Sequence, residues 1–328
     1  MIKQIYIEAA VRDHPRVAAI LARFPDAVVV DCERYSEIFN KKAQDFRLQK
    51  QAPALILAHK HKQFVLPTPE GYGIGRDENY YFSHMMNCLY DCRYCFLQGM
   101  YHSANYVLFV NYEDFDDAIR AHATSEDSCF FSGYDCDSLA LEPVSGFVEH
   151  ILALFETLPH SWLELRTKST QIRSLLNRAA MPNVIVAFSV SPDEIVTGLE
   201  QRTPSLHKRL EAMQRLQQQG WPVGLRIDPL IYTDDFSTIY TDMFNKIFTQ
   251  LDASQLHSVT LGTFRLPQSF FRKTARLYPD ERLFALDYTT DNGMTGYTEE
   301  IRHSMINFCE AALNDKIDNN KLFVMEDS

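Results

Sequence analysis

Two rhythms of apolar and polar residues run along this 328-residue chain, and they alternate. Short apolar or period-two runs at 2–8, 27–31 (AVVVD) and 53–58 (PALILA) predict strands, and residues 15–24 read as an amphipathic helix. Together they predict a small α/β N-terminal region over residues 1–75. A connection at 69–76 carries Gly71, Gly73 and Gly75. Its G-x-G-x-G spacing, with no helix opening after it, is not a dinucleotide-binding fingerprint. From there the alternation becomes regular. Strands are predicted at 79–83, 128–132, 162–167, 184–191, 223–228 and 258–263, with helices at 114–124, 143–157, 171–180, 205–219 and 242–251. The 143–157 segment repeats Val144, Phe147, Val148, Ile151, Leu152 and Phe155 at helical spacing. Six β/α units in a row predict a parallel sheet with helices outside. A closed eight-unit barrel needs about 250 residues, so the expected fold is a partial (β/α)6 barrel over 76–265. After Leu266 the periodicity is irregular, and 266–328 is expected to be a C-terminal appendage.

Composition narrows the class. Hydrophobic residues make up 46% and charged residues 23%, which is ordinary for a globular chain. The net charge is −11, which weighs against grip on nucleic acid through bulk charge. The N-terminus lacks an apolar signal core, and no uncharged run reaches the roughly 20 residues that span a bilayer. A cytoplasmic protein without membrane contact is therefore expected. The seven cysteines are too few and odd in number for a disulfide scaffold; in a reducing compartment, clustered thiols point to metal binding or chemistry.

Three cysteines do cluster, in Cys88-Leu-Tyr-Asp-Cys92-Arg-Tyr-Cys95. The C-x3-C-x2-C spacing suits three corners of a cubane [4Fe–4S] cluster, leaving one iron open for a further ligand. The rival is zinc with His84 as fourth ligand. The loop follows the first predicted barrel strand, where active sites of α/β barrels lie. Cys136 lies in the polar segment Gly133-Tyr-Asp-Cys-Asp-Ser138 after a strand, which suits a site thiol; the bland alternative is packing. Cys32, Cys129 and Cys309 sit in apolar patterns and are assigned to packing. Arg226 and Asp228 end a strand at the expected barrel mouth; they are expected to pair with each other, with contact to a bound cofactor as the alternative. The HKHK run at 59–62 reads as a solvated strand edge, and Tyr72, Tyr80, Tyr81 and Phe82 as core.

The cysteine spacing, with Tyr94 before Cys95, resembles the radical S-adenosylmethionine (SAM) superfamily, whose partial (β/α)6 barrel agrees with the six units above. The likeness extends to the spore photoproduct lyase family. It rests on Cys92-Arg-Tyr-Cys-Phe-Leu-Gln98, Cys136-Asp-Ser138, Thr167-Lys168, Phe188-Ser-Val-Ser191, and Ser205-Leu-His-Lys-Arg-Leu-Glu-Ala212 followed by Gly220-Trp-Pro-Val-Gly224. The resemblance implies that Cys88, Cys92 and Cys95 hold a [4Fe–4S] cluster. SAM would be seated by Lys168, Ser189 and Ser191, with Tyr94 near its adenine. Cys136 would return a hydrogen atom to the product radical, with Tyr94 retained from the catalytic set. It also implies a one-electron reductase such as flavodoxin or ferredoxin, and a thymine photoproduct in DNA as the molecule repaired by carbon–carbon bond cleavage.

The chain departs from that pattern in three places. Phe96 stands where the lyases have a tyrosine that relays hydrogen, leaving Tyr90, Tyr101 or Tyr134 as substitutes. The stretch Thr289–Tyr297 contains a turn-forming Asn292-Gly293 but no arginine, where the lyases carry an Arg-Tyr wedge. The charge is acidic. A radical SAM enzyme acting on a non-DNA molecule, and a non-catalytic zinc protein, are the alternative readings.

Overall fold

The computed structural model describes residues 2–124 and 127–325; Met1 and 326–328, the outer ends of the two expected terminal regions, lie outside them. Among the described residues the strands form two main sheets. The larger has the order Leu66–Pro67, Glu78–Phe82, Ser128–Ser132, Trp162–Thr167, Val184–Ser189, Val223–Leu230, Leu256–Thr263 and Leu322–Val324. All neighbours are parallel except the first pair. The six central strands are the six expected ones, and the sheet is a partial barrel. Val184–Ser189 is buried at every position, which is why it reads as a continuous apolar run.

The second sheet has the order Val28–Cys32, Gln4–Glu8, Leu55–Ala58, Tyr106–Phe109, Met85–Met86. It reaches past residue 75, so a boundary there would cut one sheet. Two of its strands come from segments flanking the cysteine loop, which ties that loop to the N-terminal region. The segment after 266 is likewise integrated. Leu322–Val324 extends the barrel sheet, and Glu299–Asn314 is a 16-residue helix that buries Met305, Cys309 and Leu313.

The expected helix at 143–157 is broken into Glu142–Ser145 and Phe147–Glu156 by Gly146, which takes a left-handed φ of 60°. The 171–180 helix shrinks to Arg173–Leu176. Helix Leu206–Gln218 begins where expected because the Ser205 hydroxyl accepts the Lys208 N–H.

Inside the barrel the expected Arg226–Asp228 pair is not made. Arg226 forks onto Glu164 two strands away, at 3.1 and 2.6 Å, and its Nη2 donates to Ser258 Oγ at 3.0 Å; both partners of the ion pair are fully buried. Gly224 makes room, since a Cβ there would lie 3.0 Å from the guanidinium. Asp228 faces Arg265 at 3.8 Å instead. Side chains two apart on a strand share a face, but Arg226 finds its charge partner across the sheet. Burial pushes the Glu164 carboxyl up, but Arg226 and Arg166 outweigh it and hold it down at about 2.

Candidate functional site

The three cysteines lie on a loop fastened at several points. Asn87, just before Cys88, is left-handed with φ 67° and donates from its amide to the Ser103 and Asn105 carbonyls at 2.7 and 2.8 Å. Asp91–Cys92 pairs antiparallel with Glu200–Gln201, setting Cys92 opposite Glu200. The Arg93 N–H donates to Leu199 O at 2.8 Å. Gln98, the last residue of the motif, closes the loop: its amide donates to Asp91 (2.8 Å) and Cys92 O (3.1 Å), and its oxygen accepts from Lys50 and Tyr278. Gly99 lets the Gln268–Leu277 helix lie directly on the loop's short helix, because a Cβ there would come within 2.6 Å of Phe270.

The thiols share one electrostatic neighbourhood. Burial pushes Cys88 well up and Cys92 to about 12, and each feels the neighbouring cysteines. Cys95 is also raised by burial, while Lys168 and Lys50 pull it back. Thiols raised in this way hold their protons, and a cationic metal group would displace them. The donor set, three soft sulfurs beside two lysines, fits an iron–sulfur cluster with an open iron.

His84 does not join them. It is buried with its ring stacked on Phe147 at 3.8 Å and 3°, and burial holds its pKa down at about 3. No three His, Cys, Asp or Glu side chains among the described residues converge as ligands of one metal ion, whereas cubane thiolates bind separate irons and stand further apart. The zinc reading built on His84 is therefore set aside. A neutral buried ring has a consequence for stability. Its folded pKa lies below the unfolded value of about 6.5, so its contribution is full above pH 6.5 and is lost as pH falls toward 3. Between pH 7 and pH 5 the loss from this group is ~2 kcal/mol. In urea titrations at those two pH values, His84→Phe is expected to reduce the pH-dependent drop by that amount; an undiminished drop would show that His84 protonates freely in the fold.

Beside the thiols lies a buried polar hub that the sequence did not single out. Glu200 accepts from the Tyr94 hydroxyl, from Ser191 Oγ at 3.0 Å, and from Arg209, which is itself fully buried. Arg209 also donates to Ser189 O at 3.0 Å and Thr203 Oγ1 at 2.8 Å. Lys168 Nζ stands 5.5 Å from the Tyr94 ring centroid. Burial lowers the Lys168 pKa, but Glu200 and Cys92 raise it more, so the amine stays charged. Burial likewise raises Glu200, and Lys168 with Arg209 bring it below its ordinary value. Tyr94, Lys168, Ser189 and Ser191 are thus brought together with Cys92. The available signal was Arg209, which lies in the 205–212 segment matched to the family; Glu200 lies nine residues before it, outside that segment.

Asp137 connects the strand ends. Its carboxylate accepts from Thr167 Oγ1 and Lys168 N, both at 2.6 Å, and from the N–H groups of Leu139 and Ala140 at 2.9 Å. The neighbouring Cys136 is 8% exposed and packs with Met85, Leu108 and Leu141 in the core of the N-terminal sheet. Burial, then Asp135 and Asp137, push it well above the usual thiol range, so it keeps its S–H. Phe96 lies 5.3 Å from Tyr134, which packs on Tyr81 at 4.3 Å. Tyr288–Asp291 and Met294–Tyr297 form the expected hairpin, with Asn292 and Gly293 at φ 46° and 81°. The 59–62 run is tied in: His59 N donates to Glu8 and Lys60 N to Asn111, both at 2.9 Å. Cys32, Cys129 and Cys309 are buried and free.

A parallel partial barrel whose first strand feeds a three-thiol loop is the arrangement of the radical SAM superfamily. The chain belongs to the spore photoproduct lyase family: the family model "Spore photoproduct lyase" matches residues 77–291. The spore photoproduct lyase of Bacillus subtilis (strain 168) is 24% identical over 193 residues, 58% of this chain and 56% of that protein. That of Geobacillus sp. (strain Y412MC61) is 23% identical over 199 residues, 60% and 58% of the two chains. The chain thus spans just over half the length of the curated relatives it matches. A solved spore photoproduct lyase mutant with bound AdoMet and dinucleoside spore photoproduct superposes with a TM-score of 0.84 at 15% identity, over 100% of this chain and 99% of that one. A radical S-adenosylmethionine methyltransferase from Kitasatospora setae, with cobalamin and a [4Fe–4S] cluster, gives 0.51 at 8% identity over 76% and 53%. At such identities the likeness to the solved structures is one of fold. No helix among the described residues is long and apolar enough to cross a membrane.

Proposed function

We propose that this chain is a radical SAM enzyme that repairs a thymine photoproduct in DNA by carbon–carbon bond cleavage. The observation that supports it most is the grouping of Cys92, Lys168, Tyr94 and Ser191 around Glu200 at the ends of the barrel strands. Cys88, Cys92 and Cys95 would hold a [4Fe–4S] cluster. With SAM on its open iron, that group supplies a 5′-deoxyadenosyl radical after one-electron reduction. Lys168 presents a fixed positive charge for the SAM carboxylate, and Ser189 and Ser191 line the end of the neighbouring strand. The Tyr94 ring offers a face for adenine, with its hydroxyl held by Glu200. Cys136 supplies a hydrogen atom to the substrate radical: its S–H bond breaks, a C–H bond forms, and the unpaired electron stays on sulfur. The raised thiol pKa keeps that hydrogen in place. Phe96 has no O–H, so any onward relay has to use another phenol; Tyr134 is the one against its ring. A one-electron reductase of the flavodoxin or ferredoxin kind is the partner this chemistry needs.

The test is turnover of the dinucleoside spore photoproduct by the anaerobically reconstituted chain. The two thymidines should be restored together with SAM cleavage. Cys136→Ala is expected to keep iron and SAM cleavage while diverting the product. A hairpin without arginine and a net charge of −11 favour one other reading, a radical SAM enzyme with a non-DNA substrate. SAM cleavage without restoration of the two thymidines would select it.

A further inference from the structure

The helix Phe46–Gln51 of the N-terminal region meets the cysteine loop through Lys50. Lys50, Asp91 and Gln98 line one cavity with Cys88 and Cys95. The Lys50 ammonium pairs with Asp91 and donates to Gln98 Oε1 at 2.8 Å, and the Phe46 ring lies 5.0 Å from it. The backbone is fixed as well. Arg202 donates to Lys50 O at 2.9 Å, and Gln49 Oε1 accepts the Ala104 N–H at 2.9 Å. Arg93 donates to the second oxygen of Asp91 at 2.8 Å. Two cations thus share one carboxylate, which leaves this corner of the loop with one positive charge in excess. The Lys50 and Asp91 side chains are only 19% and 12% exposed, so salt screens them little. Burial lowers the Lys50 pKa, while Asp91 and, more weakly, Cys95 favour the charged amine. Asp91 keeps Arg93 and Gln98 as partners whether or not Lys50 is there, so the fold does not require a lysine in this place.

Resting on the radical SAM reading above, we infer that Lys50 and Asp91 tune, with opposite sign, the reduction potential of the cluster held by Cys88, Cys92 and Cys95: Lys50 raises it and Asp91 lowers it. One electron leaves the reductant and one arrives among the three thiolates, with no proton moved, so the site becomes one charge more negative. A fixed cation beside it favours that reduced state, and a fixed anion opposes it. Lys168 is the other lysine that Cys95 feels. Its charge faces Glu200 and, in the reading above, the SAM carboxylate. Lys50 is the lysine that stays with the cysteine loop when SAM binds. Asp91 keeps it there, at the cost of part of its field. The loop therefore carries a buried charge triplet, Lys50, Asp91 and Arg93, whose members act on one electron-accepting site from beside its ligands.

The test is a redox titration of the anaerobically reconstituted full chain with dithionite and mediators, without SAM, following the reduced cluster by electron paramagnetic resonance. Lys50→Met is expected to make one-electron reduction about tenfold less favourable, a shift of about 59 mV to lower potential. Asp91→Asn should shift the potential by a similar amount the other way. Lys50→Arg keeps the charge and should keep the parent potential. Iron content should match the parent in all three, because no sulfur is touched. Opposite signs are the signature of charge; a pair that merely braced the loop would move both variants the same way. Shifts of one sign in Lys50→Met and Asp91→Asn, or none in either, overturn the inference. So does a Lys50→Arg potential displaced as far as that of Lys50→Met. Where Lys50→Met fails to load iron, Asp91→Asn and Lys50→Arg decide alone: a rise in the first with none in the second supports the inference, and any other pattern overturns it. A parent chain that takes up no iron removes the radical SAM reading itself. A parent that loads iron and cleaves SAM, with the variants' potentials unmoved, overturns this inference and leaves that reading standing.

Discussion

Cys92→Ala is expected to purify colourless from anaerobic reconstitution, with little iron and no release of 5′-deoxyadenosine, while remaining folded. The reason lies in how the loop is held. Its shape comes from the ladder to Glu200–Gln201, the Gln98 hydrogen bonds and the Asn87 turn, none of which uses a sulfur. Removing one buried sulfur then costs ~1 kcal/mol, as for many small core truncations. The functional loss is far larger, because two thiolates cannot retain a cubane that three were placed to hold. Cys129→Ala is the matched control: Cys129 is also fully buried, but on a barrel strand beside Phe131 and Ile185. It should lose similar stability and keep its full iron. Equal iron in both variants would remove the cluster assignment; iron lost from both would mean that loading reports on the fold and not on the ligands.

The second large effect is expected at Glu200. Its carboxylate and the Arg209 guanidinium are both fully buried, and breaking such a pair costs ~3–5 kcal/mol because one charge is left without its partner. Glu200→Gln should therefore lower the melting temperature markedly. Stability alone would not distinguish a structural pair from a positioning residue. The double variant Glu200→Gln/Arg209→Met removes both charges and is expected to recover part of the stability, since an unpaired buried charge is no longer present. It should not recover SAM affinity, because Tyr94 and Ser191 still lack the carboxylate they donate to and Lys168 lacks its opposing charge. Ser191→Ala, which deletes one hydrogen bond, should cost only ~1 kcal/mol. If the double variant binds SAM as tightly as the parent chain, Glu200 serves the fold alone.

Much of this molecule was legible before any coordinates. The six barrel strands stand where the alternation placed them; Val184–Ser189, buried at every position, was plainest because a strand covered on both faces is apolar along its length. The three-thiol loop was legible because its three cysteines lie within eight residues of one another. Ser205 announced its helix because a cap acts within three residues. The misreadings share a cause. The Arg226–Asp228 pairing was inferred from adjacency, whereas Arg226 meets Glu164, 62 residues away, across the barrel. His84 was offered as a ligand because it precedes Cys88, but its ring is taken up by Phe147. The boundary at 75 followed the change of rhythm, yet strands from 85–86 and 106–109 return to the first sheet.

What the sequence by itself determined is therefore everything carried by short-range repetition: the β/α alternation, the cysteine spacing, the helix start at Ser205 and the turn at Asn292-Gly293. What only the tertiary structure decided is which distant charges meet. Tyr94 reaches Glu200 across 106 positions, and Lys50 reaches Asp91 across 41. The physical reason is one of range. Backbone geometry and side-chain burial follow a period of two or 3.6 residues and leave their mark locally. A buried ion pair is favourable only when the fold brings both partners into the same water-free space, and nothing in the spacing of its members records that meeting.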